Sequence, residues 1–165
     1  MNEINSMDME NMEKIVQEIK IVRSCGAAVT CSVRYDSTSD ISNSYEILKK
    51  IDNFVKSFGF SGLDQYWVEV DVVKSLKILT DIIHKDIAYG SMITDKKTAK
   101  RLANRFLSVF ESSFRPFTNG NLIIPDADPK DTEGAWMEIS DSTFDTGIVC
   151  IDNKKMGILW VQDED

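Results

Sequence analysis

Apolar and polar residues alternate along this chain with two different periods. Met12, Ile15, Val16, Ile19 and Val22 recur at helical spacing among Glu10, Glu13, Lys14 and Lys20, which predicts a helix over 8–23. Over 26–36 the period drops to two. Val29, Cys31, Val33 and Tyr35 alternate with Thr30, Ser32, Arg34 and Asp36, as in a strand with one core face and one wet face. After a loop at 37–40, Leu48, Ile51, Val55 and Phe58 form the stripe of a second helix near 43–58. Asn43 is placed to cap it with Glu46 three residues on, and Gly59 and Gly62 end it. A strand over 65–70 follows, with Tyr66, Val68 and Val70 on the core face and Trp67 and Glu69 opposite. Asp71 is a cap for a third helix over 72–85, directed inward through Val72, Val73, Leu76, Leu79 and Ile83. A short extended piece over 87–92 leads to Thr94, the predicted cap of a fourth helix over 95–113. Its stripe is Ala99, Leu102, Ala103, Phe106, Leu107 and Phe110, and its other face carries Lys96, Lys97, Lys100, Arg101 and Arg105.

From 116 onward the pattern becomes strand-like. Leu122-Ile123-Ile124 stops at Pro125, and 126–134 reads as an acidic loop. Three strands at hairpin spacing are predicted over 135–140, 144–151 and 156–162, the last two joined by the turn Asp152-Asn153-Lys154-Lys155. Phe144, Ile148 and Cys150 lie on one side of their strand, with Val149 and Ile151 on the other. A strand apolar on both faces must be covered on both. The sum is one α+β domain over 1–165, with about four helices, a largely antiparallel sheet and a C-terminal β-meander.

Composition narrows the class. A chain of 165 residues builds a sufficient core without disulfides or metal. No run approaches the roughly 18 to 20 apolar residues of a membrane helix. The start, Met1-Asn2-Glu3-Ile4-Asn5, lacks the pattern of a secretory signal, so a cytoplasmic protein is expected. Cys25, Cys31 and Cys150 form no close pair and read as reduced, buried residues. The net charge is −8 and lopsided: residues 1–115 hold 16 basic and 16 acidic residues, residues 116–165 hold 3 and 11. Such a surface repels nucleic acid and anionic lipid and attracts basic proteins.

Catalytic motifs are few. His84 is the only histidine and falls at a helix end. No Cys/His set has zinc spacing, and no glycine-rich phosphate loop occurs. The segment 126–133 fails the EF-hand pattern at Lys130, Asp131 and Met137. Glu69 with Asp71, or Glu138 with Asp141, are carboxylate pairs without a recognisable setting. No cofactor is expected. The lysine and arginine face at 96–105 has no interleaved aromatics and reads as a solvated helix face.

One feature occurs twice. Trp67 shares a strand face with Glu69, and Trp136 with Glu138, each opposite a more evident core face. An aromatic ring beside a carboxylate suits lysine or arginine through contact area, cation–π attraction and charge. With the acidic segments this defines a candidate partner-binding surface: Trp67, Glu69, Asp71, Asp126, Asp128, Asp131, Glu133, Trp136, Glu138, Asp141 and Asp145. An open sheet edge near the C-terminal strands would also accept a partner strand.

The chain is short, acidic and poor in cysteine, and it ends Gly157-Ile158-Leu159-Trp160-Val161-Gln162-Asp163-Glu164-Asp165. In these features it resembles bacterial immunity proteins of contact-dependent growth inhibition and related polymorphic toxin systems. The likeness extends over the whole chain but aligns no motif, so no individual residue is carried over from it. It implies a stoichiometric inhibitor of a cognate basic toxin domain, often a nuclease, held as a one-to-one heterodimer, with no activity of its own. Two other classes compete: a small enzyme using carboxylates or His84, which requires a pocket of convergent acids, and an adaptor subunit of a larger assembly, which requires an exposed apolar patch.

Overall fold

The fold runs, in chain order, through helix α1 (Ser6–Arg23), strand β1 (Ala28–Tyr35), helix α2 (Ser44–Lys56), a 3-10 turn (Asp64–Tyr66), strand β2 (Val68–Glu69), helices α3 (Val72–His84) and α4 (Lys96–Ser108), and strands β3 (Arg115–Thr118), β4 (Phe144–Ile151) and β5 (Lys155–Asp163). The structure, a computed structural model, describes residues 6–24, 28–36, 42–120, 137–142 and 144–163. The expected strand Leu122-Ile123-Ile124 and the acidic loop over 126–134 lie outside the described residues.

Side chains replace missing backbone partners at three helix starts. Asn43 accepts the Glu46 N–H at 3.2 Å and Asp71 accepts the Lys74 N–H at 2.7 Å, as the sequence predicts. At α4 the cap is Asp95 rather than Thr94: its carboxylate takes both the Thr98 N–H and the Thr98 hydroxyl at 2.8 Å. The α4 helix also stops at Ser108, short of the predicted 113. Turns beyond it still carry Phe110 and Phe114 along the Phe106 ring line, at centroid spacings of 5.6 and 5.9 Å.

The sheet is antiparallel throughout, with order β1-β5-β4-β3-β2. The β4–β5 hairpin is therefore central, and the open edges among the described residues belong to β1 and β2, not to the C-terminal strands. Period-two alternation sends neighbours to opposite faces. Ile148, Cys150, Leu159 and Val161 meet α1, α3 and α4 through Ile19, Ile82, Ile83, Leu102 and Phe106. Val149, Ile151, Ile158 and Trp160 meet α2 and the stretch after it through Ile51, Val55, Leu63 and Trp67. Each large side chain fully buried this way contributes roughly 1.5–3 kcal/mol.

Three extended segments differ from expectation. In place of 65–70, only Val68–Glu69 is a strand, because the preceding residues turn as a 3-10 helix. The described part of 135–140 is not a strand. It is tied as an irregular segment, with the Met137 N–H on the Asn119 carbonyl and the Ser61 N–H on the Ile139 carbonyl. Residues 86–91 form a turn closed by the Lys85–Met92 bridge. Strand β3 is hidden in the sequence by Pro116. The Val70 N–H donates to the Pro116 carbonyl, so the missing proline N–H faces a point where β2 has already ended.

Gly147 lies in β4 opposite Trp160 of β5. A Cβ there would lie 2.0 Å from the Leu159 carbonyl oxygen. Gly147→Ala should destabilise the protein by about 3 kcal/mol or more, measured by urea unfolding; an unchanged midpoint would contradict this packing. The Thr98 N–H, and then its hydroxyl, hold the Asp95 carboxyl below its usual value of 3.8. A lowered carboxyl contributes stability above the unfolded value and loses it as pH falls through the folded one. The melting-temperature deficit of Asp95→Ala should thus be full at pH 7 and shrink as pH falls below the ordinary carboxylate range; a deficit of constant size down to pH 2 would refute the cap.

Candidate functional site

The geometry of the β2 edge is set by a carboxylate on α2. Asp52 is buried beside the apolar stripe of that helix. It accepts the Trp67 Nε1–H at 2.7 Å, the Leu63 N–H at 3.0 Å and the Asp64 N–H at 3.2 Å. Gly62 permits the approach, since a Cβ there would fall 2.5 Å from the Asp52 carboxyl carbon. The Trp67 ring packs edge-on against Trp160 at 6.0 Å and 80°. Trp67 is 6 % exposed, which overturns its assignment to an outward face. An indole finds both its apolar contact and its acceptor inside.

With Trp67 turned in, its neighbours turn out. Tyr66 is 58 % exposed and Val68 41 %; at the first turn of α3, Val72 is 48 % and Val73 78 % exposed. The sequence pattern assigns these four to the core, and the structure places them at the surface. Asp64, Glu69 and Asp71 are exposed in the same ten-residue stretch. Glu69 holds Arg115 through two contacts, Nε–H to Oε2 at 2.6 Å and Nη2–H to Oε1 at 2.8 Å, and this hydrogen bonding raises the guanidinium pKa. Asp71 is exposed and serves as the α3 cap.

The acidic C-terminal third is partly internal. Asp145, a predicted surface contact, is buried, because it fastens the 137–142 segment onto the sheet. It accepts the Ile139 and Ser140 N–H groups, the Ser140 hydroxyl at 2.6 Å, the Trp160 Nε1–H at 3.1 Å and the Asn119 amide at 3.3 Å. Burial pushes its carboxyl upward, while the Ser140 hydroxyl and the other donors pull it back. Asp152 is also buried and accepts the Glu111, Lys154 and Lys155 N–H groups, closing the β4–β5 turn. Asp163 receives Arg23 and the Ile87 N–H, joining β5 to the ends of α1 and α3. Glu138 and Asp141 are exposed, as expected. Asp126, Asp128, Asp131, Glu133 and Trp136 lie outside the described residues.

The remaining chemistry is structural. His84 Nδ1 lies 2.7 Å from the Thr94 carbonyl at the α3 end. Burial raises the Cys31 thiol to about 12 and pushes Cys150 well up, which suppresses both thiolates. Among the described residues no three His, Cys, Asp or Glu groups converge as a metal site, and no helix is long and apolar enough to cross a membrane.

Asp145→Asn sets an amide N–H₂ against donors that all need an acceptor. It should destabilise the protein by about 2–4 kcal/mol in chemical unfolding; a loss under 0.5 kcal/mol, on the order of an ordinary surface change, would show that Asp145 does not hold the segment. No protein-family model, curated protein or solved structure matches this chain.

Proposed function

We propose that the protein is an immunity-type inhibitor that binds and neutralises a cognate basic toxin domain, best fitted by a nuclease, in a one-to-one complex. The observation that carries this is the surface of 64–73. Tyr66, Val68, Val72 and Val73 are exposed within one short stretch that also exposes Asp64, Glu69 and Asp71. Neighbouring exposed apolar residues mark an interaction site more than scattered ones do. Glu69 is paired with Arg115 and Asp71 caps α3, so Asp64 is the carboxylate of this stretch that favours a cationic partner; a domain built to grip nucleic-acid phosphates is cationic. Glu138 and Asp141 are further exposed carboxylates. The net charge of −8 assists encounter at a distance. Inhibition by contact needs no catalytic group or cofactor, and none is assigned.

An adaptor role in a larger assembly is the second reading, favoured by the valines at 68, 72 and 73. The two differ in salt response. An electrostatically steered inhibitor associates more slowly as ionic strength rises, whereas an apolar adaptor contact does not.

The test is co-expression with a candidate toxin domain, the basic C-terminal domain of a large secreted protein encoded beside this gene if one is found there. Cells should survive only when this protein is present; equal killing with and without it rejects the immunity reading. Tyr66→Ala should leave unfolding unchanged and weaken the complex roughly thirtyfold, about 2 kcal/mol. Unchanged affinity in both Tyr66→Ala and Val73→Asp moves the interface elsewhere.

A further inference from the structure

The opposite edge of the sheet carries a different kind of site. A cleft of about 460 Å³ lies between α1, the end of α4, and the paired residues Tyr35 and Lys155 of β1 and β5. Its volume is within the roughly 300–1,000 Å³ typical of small-molecule sites. Met12, Ile15 and Val109 form an apolar wall, and Arg105, Lys155 and Tyr35 supply polar groups. None of its described lining residues carries a carboxylate.

The cations here keep donors in reserve. The Lys155 ammonium has three N–H groups, and its side chain is 9 % exposed. Among the described residues Asp152 Oδ2 stands near it at 3.3 Å. That carboxylate already accepts three backbone N–H groups, so its negative charge is shared before the ammonium reaches it. The Tyr35 ring lies 5.7 Å from the ammonium. Arg105 donates from Nη1 to Glu18 Oε2 at 2.6 Å, but the same oxygen also faces Arg101 at 3.7 Å. One carboxylate thus stands against two guanidiniums, of which Arg105 lines the cleft.

We propose that this cleft binds a small anionic molecule, its phosphate or carboxylate group held between Lys155 and Arg105 and its apolar part against Met12, Ile15 and Val109. The anion completes the donor set of a largely buried ammonium, which water does less well in so confined a place. The site is independent of the toxin surface, because β1 and β2 are opposite edges of the sheet.

Inorganic phosphate and citrate are the probes, each titrated into the full chain by calorimetry at constant ionic strength. A saturable one-to-one isotherm is expected with at least one of them. Phosphate alone would identify a phosphoryl group as the recognised unit, and citrate alone a carboxylate. Lys155→Met and Arg105→Gln should each weaken binding at least tenfold. Amide shifts should be confined to the neighbourhood of Asn11, Tyr35 and Ser108. Should Lys155→Met fail to fold, because its ammonium also balances Asp152, Arg105→Gln and the shift map decide. No saturable heat with either probe, or wild-type affinity in Arg105→Gln with shifts elsewhere, overturns the proposal.

Discussion

The hairpin of β4 and β5 is apolar on both faces, and the rest of the molecule follows from covering it. Ile148, Cys150, Leu159 and Val161 need one layer; Val149, Ile151, Ile158 and Trp160 need another. Three helices supply the first. One helix and an irregular stretch supply the second, and irregular backbone is expensive to bury without partners. That stretch is held by carboxylates: Asp52 takes the backbone of 63–64 and the Trp67 indole, and Asp145 takes the backbone of 139–140 and the Trp160 indole. The two tryptophans so anchored meet edge to face. Each buried acid organises loop and aromatic together.

This division of carboxylates shapes the surface. Asp52, Asp145, Asp152 and Asp163 are turned inward, where they satisfy backbone and side-chain donors. What stays outside near β2 is a mixture of acids and apolar residues. Inserting Trp67 exposes Tyr66 and Val68, so the candidate interface is a direct consequence of how the second core layer is closed. The cleft proposed to bind an anion likewise involves Asp152, which accepts three backbone N–H groups at the β4–β5 turn beside the Lys155 ammonium.

The sequence made the long periodic elements legible. Helices α1, α2 and α3, the Asn43 and Asp71 caps, strand β1, and the two-faced character of β4 all follow from period and capping chemistry. The short elements do not. Tyr66, Val68 and Val70 alternate like a core face, but alternation alone does not say which face is covered, and one hydrogen bond from an indole to Asp52 decides it. Asp52 itself was the available signal: a carboxylate among Ile51 and Val55 announces a buried acceptor in search of donors. Val72 and Val73 look inward by spacing, yet both are exposed at the first turn of α3. Summed charge could not separate Asp145, Asp152 and Asp163 from the acids that face solvent, since the separation depends on which backbone donors the fold leaves unpaired.

Two edges of one sheet therefore carry complementary chemistry, acidic and apolar at β2, cationic and concave at β1. Recognition of a basic protein at the first of these edges is the proposed role. Hydrogen exchange of the chain, alone and mixed with the toxin domain that it protects cells against in co-expression, tests it most directly. Slowed exchange concentrated in the amides of 64–73, with the α4 face of Lys96, Lys97 and Lys100 unaltered, is the result expected. Slowing confined to α4 or β1, with 64–73 exchanging as in the free protein, would contradict it.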